Sequence, residues 1–207
     1  ERIEAALSTI QGRGQVQDIE LAADADGKVT AVRAKLLADM GAYLQLVTPG
    51  IPLLGAFLYH GVYDIPAYSF TCQGLFTNLP PTDAYRGAGR PEASYAIERA
   101  MDALAREIGV TPEEIRRRNY IPSDAFPYDS PAGLVFDSGN YAPNLEKALD
   151  VVRWDDRKAD QAARRAAGDY GTAPRRGTRA RPGYRGHRHR RPVHHQARPR
   201  AARRHRS

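Results

Sequence analysis

The chain has 207 residues, 42% of them hydrophobic, which is enough for one domain or two small ones with a sizeable core. No apolar run approaches the roughly 18 residues that a membrane span requires, and the first residues lack the basic start and apolar centre of a signal peptide. The single cysteine, Cys72, excludes an internal disulfide and a self-sufficient iron–sulfur or cysteine-rich zinc site, so we expect a reducing, cytoplasmic compartment.

The net charge of +7 is an average over two unlike segments. Residues 171–207 contain 13 Arg and no Lys, Asp or Glu, whereas residues 1–170 hold 18 basic and 24 acidic residues. Such an Arg-, Gly-, Ala- and Pro-rich segment cannot bury enough apolar area to offset the entropy of ordering. We therefore expect a globular domain over residues 1–170 and a disordered Arg/His-rich tail over residues 171–207. Because these residue types have codons made only of G and C, a frameshift near Tyr170 is a hypothesis for the origin of the tail.

The first predicted elements are strands. Imperfect alternation of apolar residues over Gln15–Ala23 and again after Lys28, joined by the Asp26-Gly27 pair, predicts a β-hairpin. In the second strand, the pattern places Val29, Ala31 and Arg33 on one face. Residues 49–61 are apolar and punctuated by Pro and Gly, which predicts a short helix or a buried loop, and a further strand is expected within residues 68–77.

Helices dominate the second half. A helix is predicted from Pro91, which suits a first helical position, to a stop at Gly109. Thr111 and Glu114 have the spacing of a capping box for a helix through Arg118. A loop with an extended piece at residues 134–136 follows, and then a helical region over residues 144–168. These elements together predict an α+β fold. The apolar stripe expected on the first helix is Ala93, Ile97, Met101, Leu104 and Ile108.

The segment with the clearest chemical meaning is "YRGAGRPE". Arg86 and Arg90 bracket Gly87, Ala88 and Gly89 directly before the long helix. Glycines let a backbone approach a ligand closely, and the start of a helix offers unpaired N–H donors to an anion. The segment matches neither the dinucleotide-binding fingerprint, which needs a third glycine, nor the Walker loop. The residues alone leave two interpretations open, a structural turn that caps the helix and an anion-binding loop.

Residues 76–128, "FTNLPPTDAYRGAGRPEASYAIERAMDALAREIGVTPEEIRRRNYIPSDAFPY", resemble the large, molybdopterin-binding subunit of the xanthine dehydrogenase and aldehyde oxidase family. The resemblance is strongest to the second form of the aerobic carbon monoxide dehydrogenase large subunit, and it extends from near Glu1 to about Gly168. It implies that residues 1–170 form a partial molybdopterin-binding domain with an α+β fold.

The resemblance also implies roles for three residues of the loop. Arg86 matches the arginine that lies beside the molybdenum cofactor, and Gly87 and Ala88 belong to the same cofactor-binding loop. In the true carbon monoxide dehydrogenases the position of Gly87 is a cysteine that holds copper, so a glycine disfavours carbon monoxide oxidation. In the purine hydroxylases the position of Ala88 is a phenylalanine that stacks on the substrate, so an alanine disfavours a purine.

The family reaction is the hydroxylation of a carbon or an aldehyde with oxygen derived from water, with a glutamate as the base. The cofactor implied is molybdenum–molybdopterin or its cytosine dinucleotide form. FAD and 2Fe-2S clusters are expected on a medium and a small partner subunit, not on this chain. The upstream "GGFG" loop and the catalytic glutamate of the family have no counterpart in this sequence, and the chain begins with Glu1 rather than Met. We therefore expect a fragment that is inactive by itself, with no catalytic residue and no metal ligand of its own.

An alternative from another class is a small nucleic-acid-binding protein whose basic tail contacts phosphates. The acidity of residues 1–170 opposes specific recognition, whereas nonspecific electrostatic contact by the tail is compatible with the sequence. Other candidate residues have structural interpretations. His60 is expected to be packed or hydrogen-bonded and Cys72 to be a small buried apolar residue. The acidic pairs are expected to be caps or solvated helix faces: Asp155 and Asp156, Glu113 and Glu114.

Overall fold

A computed structural model of the protein describes residues 1–169, and the expected disordered tail and frameshift lie outside the described residues. These residues form two compact units, residues 1–142 and residues 143–169. The elements in chain order are α1 (Arg2–Ser8), β1 (Gln15–Ala23), β2 (Val29–Gly41), α2 (Gly50–Ala56), β3 (Ala67–Phe76), α3 (Arg90–Ile108), α4 (Pro112–Asn119), β4 (Tyr128–Asp129), β5 (Val135–Phe136), α5 (Ala142–Val151) and α6 (Trp154–Ala166).

The larger sheet of the first unit has the order β1-β2-β3. The predicted hairpin is confirmed: β1 and β2 are antiparallel, and Gly27 in their turn has φ of 83°. A Cβ at Gly27 would lie 2.7 Å from Cδ1 of Ile115, so the turn needs glycine for both its conformation and its packing. Strand β3 pairs with β2 in parallel, a long-range pairing that the sequence does not predict.

The face assigned to β2 is wrong, and a bulge explains the error. Ala22 pairs with Ala31 and Ala23 pairs with Val29, so Thr30 is an extra residue that reverses the alternation. Arg33 is exposed as a consequence. Val29 is buried and shares its environment with the even-numbered residues that follow the bulge. These buried residues are Val32, Ala34, Leu36, Ala38 and Met40.

Helix α3 packs one stripe of side chains into the core. It begins after Gly89, an N-cap in the left-handed conformation, has Pro91 in its first turn, and ends at Gly109 with φ of 82°. The predicted stripe is confirmed at Ala93, Ile97 and Met101, whereas Leu104 and Ile108 are only half-buried. Ala96 and Ala105 are also buried, because a small residue beside the stripe lets the helix approach its neighbours. The core around this helix is formed by Val29, Val32, Tyr63, Ile65, Ile97, Met101, Ala105 and Ile115.

Helix α4 is anchored at both ends. The Thr111 hydroxyl accepts a hydrogen bond from the backbone N–H of Glu114 at 3.2 Å, as the predicted capping pattern requires. At the other end, the buried Asn119 side chain accepts from the N–H of Val29 at 2.7 Å and donates to the carbonyl oxygens of Gly27 and Ile115. The helix is thereby attached to the β1–β2 turn.

The remaining elements refine the sequence predictions. The apolar segment before Gly61 contains the short helix α2, and the predicted extended piece is β5, which forms a hairpin with β4. In the second unit, the single predicted helical region is two helices, because Arg153 between them has φ of 51°. Within residues 1–169, no helix combines the length and the apolar character needed to cross a bilayer.

Candidate functional site

The Arg86–Gly89 segment forms two overlapping tight turns that lead into α3. The N–H of Ala88 donates to the carbonyl oxygen of Tyr85, and the N–H of Arg90 donates to that of Gly87, both at 2.8 Å. Gly87 and Gly89 both have positive φ, 87° and 79°. The sequence "RGAG" adopts this path because glycine reaches such angles without steric cost. Residues 85–89 are called the Arg86 loop below.

The two glycines of the loop have different surroundings. A Cβ at Gly89 would lie 2.5 Å from the backbone nitrogen of Gly55 and 2.6 Å from the carbonyl oxygen of Ile51, so α2 packs directly on this position. A Cβ at Gly87 would meet only ring atoms of Pro91, at 3.6 Å. Gly89 therefore fixes the loop against the domain, whereas Gly87 leaves space beside Arg86.

Arg86 and Arg90 are exposed, and no hydrogen bond or ion pair of either guanidinium is found within residues 1–169. The fixed fork of N–H donors in Arg86 is thus available, next to the positive end of a 19-residue helix. Oxygen acceptors on an anionic group are what such donors bind best. The donor set of the loop therefore fits an oxygen-rich anionic cofactor such as molybdopterin, whose phosphate is negatively charged.

A network of hydroxyl groups holds the chain that enters the loop. The Thr82 hydroxyl donates to the backbone oxygen of Asp39 at 2.8 Å, and the Thr48 hydroxyl donates to the carbonyl oxygen of Thr82 at 2.5 Å. The Thr77 hydroxyl donates to Oδ1 of Asp39 at 2.7 Å. Thr48 and Thr82 are buried, so their hydrogen bonds are not exposed to competition from water. The start of the loop is therefore fastened to the end of β2.

A second segment, residues 11–14, lies against the loop. Gln11 and Thr82 form a parallel bridge, in which the N–H of Gln11 donates to Pro81 and the N–H of Asp83 donates to Gln11, both at 2.9 Å. The Arg13 side chain reaches the loop itself and donates to the carbonyl oxygen of Arg86 at 3.2 Å. Sequence reasoning missed Arg13. The only local signal is its position between two glycines, since its partners lie more than 70 residues further along the chain.

An open cavity of about 600 Å³ lies next to the loop. Tyr85 is the one loop residue in its wall, and Arg86, Gly87 and Ala88 are not among its lining residues. The three residues predicted to bind the cofactor are therefore together on the surface of the loop rather than in this cavity. Part of the wall is apolar and part polar, formed by Leu7, Arg13, Asp39, Leu79, Pro80 and Tyr85.

The other candidate residues are structural. His60 is fully buried against the rings of Tyr128 and Phe136, as predicted, and burial lowers its pKa. Cys72 is half-buried, not buried as expected, because β3 is at the edge of its sheet; its partial burial raises the pKa of the thiol. The acidic pairs lie in the first turns of α4 and α6, as predicted. Among residues 1–169, no cluster of His, Cys, Asp and Glu could hold a metal ion.

The fold matches the molybdopterin-binding domain of molybdenum hydroxylases. The solved structure of quinoline 2-oxidoreductase from Pseudomonas putida 86 matches with a TM-score of 0.74 and 32% identity, over 81% of this chain and 22% of that one. The family model of the molybdopterin cofactor-binding domain matches residues 1–120. The chain therefore belongs to the xanthine dehydrogenase and aldehyde oxidase family, as a molybdopterin-binding large subunit sequence.

Curated relatives match about the same share of this chain as the solved structure does. The chain is 40% identical over 169 residues to the carbon monoxide dehydrogenase large chain of Hydrogenophaga pseudoflava, which covers 80% of this chain and 21% of the relative. It is 30% identical over 162 residues to the xanthine dehydrogenase molybdenum-binding subunit of Escherichia coli O157:H7, which covers 77% and 21%. The chain thus spans about a fifth of the length of the curated relatives it matches.

Proposed function

We propose that the Arg86 loop forms one wall of a molybdenum–molybdopterin pocket in a hydroxylase large subunit. The observation that carries the proposal is the Arg86 guanidinium, which has no partner within residues 1–169 and lies just before α3, on a loop that is fixed from both sides. Arg86 donates hydrogen bonds to oxygen atoms of the cofactor. Gly87 and Ala88 allow the cofactor to approach the backbone, because neither has a side chain larger than a methyl group.

When bound, the cofactor supplies the two-electron oxidation chemistry of the family. The part of this chain in that chemistry is to hold and orient the group. The positive φ of Gly87 and the packing of Gly89 on α2 set the path of the loop, and therefore the position from which Arg86 reaches the cofactor. Because charge-assisted hydrogen bonds from a guanidinium are strong and directional, Arg86 contributes both affinity and orientation.

We propose that the whole protein hydroxylates a carbon atom or an aldehyde of a small molecule, with oxygen derived from water. The named activities of the relatives include carbon monoxide, xanthine and quinoline oxidation, so the family alone does not define the substrate. Gly87 has no thiol to bind copper, which argues against carbon monoxide, and Ala88 has no ring to stack on a purine. These features favour a carbon or aldehyde substrate other than carbon monoxide or a purine.

We also propose partner subunits and a cellular location for the whole protein. A medium subunit with FAD and a small subunit with 2Fe-2S clusters would accept the electrons in the cytoplasm, and the cofactor would be molybdopterin or its cytosine dinucleotide form.

Since the base glutamate implied by the resemblance has no counterpart in this sequence, the chain is proposed to be a fragment without turnover of its own. The alternative of nucleic-acid binding depends on residues 171–207, and nothing in residues 1–169 supports it.

The test is an anaerobic titration of molybdopterin with the purified chain, followed by pterin fluorescence. We expect saturable binding to the wild-type chain and a Kd at least about 10-fold higher for Arg86→Ala, since a hydrogen bond to a charged group contributes roughly 1.5–3 kcal/mol. Arg106→Ala is the matched control, because it removes an exposed arginine from the last turn of the same helix. No saturable binding, or equal Kd values for wild type and Arg86→Ala, would contradict the proposal.

A further inference from the structure

One side chain outside the Arg86 loop contacts both the beginning of the loop and the helix that follows it. The guanidinium carbon of Arg13 lies 5.0 Å from the ring centroid of Tyr85, above its face. Its Nη2 donates to the carbonyl oxygen of Arg86 at 3.2 Å, and its Nε lies 3.0 Å from Oε1 of Glu92, in the first turn of α3. A planar guanidinium can make these three contacts together, whereas an ammonium group cannot.

Glu92 explains why Arg13 is held in place. Its side chain is only 8% exposed, and neither carboxylate oxygen accepts a hydrogen bond within residues 1–169. The Nε of Arg13 is at ion-pair distance but not aligned for a hydrogen bond, so its contribution to Glu92 is charge compensation. A buried carboxylate is costly without a compensating charge. The half-exposed Arg13 is therefore the cation that this carboxylate needs, and the pair restricts the position of Arg13.

The backbone on both sides of Arg13 also packs closely against neighbouring residues, because both flanking residues are glycines. A Cβ at Gly12 would lie 3.1 Å from Cβ of Tyr85, and a Cβ at Gly14 would lie 2.9 Å from Cβ of Asp39. A larger residue at position 12 would push this segment away from the loop, and one at position 14 would push it away from β2. The two glycines thus bring Arg13 within reach of Tyr85, Arg86 and Glu92.

From these contacts we infer that Arg13 is a positioning residue for the Arg86 loop. It holds the loop through the backbone carbonyl of Arg86 and leaves the guanidinium of Arg86 free to bind. In this role Arg13 limits the conformations of the loop before binding and so reduces the entropy that binding must remove. The meaning of this role for cofactor binding rests on the proposed function, whereas the ordering of the loop does not.

The ordering is tested by amide hydrogen exchange of the full chain without cofactor, in wild type, Arg13→Lys, Arg13→Gln and the control Arg106→Gln. Arg13→Lys is the decisive variant, because it keeps a positive charge near Glu92 while it loses the planar, three-way contact. We expect exchange in peptides that cover residues 84–92 to accelerate about 10-fold in Arg13→Lys, with the β1–β2 hairpin and the control unchanged. The inference would be overturned if residues 84–92 exchanged at the wild-type rate in both Arg13 variants. It would also be overturned if exchange accelerated equally throughout the chain.

The titration with molybdopterin distinguishes the ordering of the loop by Arg13 from the binding of molybdopterin by the Arg86 loop. If the loop is ordered by Arg13, the Kd for molybdopterin should rise several-fold in Arg13→Lys although Arg86 is intact. An accelerated loop with an unchanged Kd would overturn the positioning role. An accelerated loop in a wild-type chain that binds no molybdopterin would instead refute the proposed function and leave the ordering by Arg13 standing.

Discussion

The side chain of Asn119 connects segments of the first unit that are far apart in the sequence. It is fully buried, and two of its three hydrogen bonds link α4 to the β1–β2 turn about 90 residues earlier. Asn119→Ala leaves the N–H of Val29 and the carbonyl oxygen of Gly27 buried without a partner, so we expect a loss of about 2–4 kcal/mol in the free energy of unfolding.

Urea unfolding measures this loss. Asn78→Ala is the control, because Asn78 is exposed and makes no hydrogen bond within the described residues; it should change the free energy of unfolding by less than about 0.5 kcal/mol. Equal midpoints for the two variants would show that the Asn119 contacts do not stabilise the fold.

The two glycines of the Arg86 loop allow a matched comparison. Gly87→Ala and Gly89→Ala both place a Cβ at positive φ, which costs about 1–2 kcal/mol. Only Gly89→Ala also drives a methyl group into the backbone of α2, whereas the methyl group at position 87 has open space. We expect Gly89→Ala to lower the melting temperature at least twice as much as Gly87→Ala. The reverse order in thermal unfolding would contradict the packing of α2 on the loop.

At the residue scale, the sequence predicted Arg86, Gly87 and Ala88 as a group because their motif is continuous. It did not predict the contacts of Arg13 or Asn119, since these side chains bind segments that lie about 70 to 90 residues away in the sequence. A side chain whose role is to join distant segments becomes recognisable only when the fold is known. The role of Arg86, Gly87 and Ala88 in cofactor binding stays a prediction, whereas the long-range contacts of Arg13 and Asn119 are visible only in the structure.

At the scale of elements, the β4–β5 hairpin packs against a buried histidine. His60 contacts the rings of Tyr128 and Phe136, and burial lowers its pKa below the ordinary value of 6.5, partly opposed by the nearby Asp64. Below about pH 6.5 the unfolded chain takes up a proton that the folded chain refuses. The free energy of unfolding should therefore fall as the pH decreases from 7.5 toward the lowered pKa of the folded state.

Urea unfolding of wild type and His60→Gln at pH 7.5 and pH 5.5 measures this effect. The variant has no titrating group at position 60, so the difference in stability between the two proteins should shrink at the lower pH. A difference that is the same at both pH values would show that His60 does not titrate differently in the folded and unfolded chains.

Helices and strands were not equally predictable. The long helix has local signals at both ends, Pro91 at its start and Gly109 at its stop, and the structure confirms them. The bulge at Thr30 and the parallel pairing of β3 with β2 have no such signals, because they depend on which strands meet in the folded chain. The face assigned to β2 was wrong for that reason.

At the scale of the whole molecule, the α+β fold and the family were both predicted, because the motif "AYRGAGR" and the elements around it are specific. The chain spans about a fifth of the length of its curated relatives, and the proposal is that it has no turnover of its own. We expect no turnover of aldehydes or N-heterocycles by the chain with added molybdopterin in a dye-reduction assay. Measurable turnover would refute the proposal that this chain is an inactive part of the enzyme.

The most direct test of the central claim is hydrogen exchange of the chain in the presence and absence of saturating molybdopterin. We expect protection to increase in residues 84–92, where Arg86 and the start of α3 would meet the cofactor, and exchange in α5 and α6 to be unchanged. Protection confined to other parts of the chain, with no change in residues 84–92, would contradict the assignment of the Arg86 loop as a wall of the cofactor pocket.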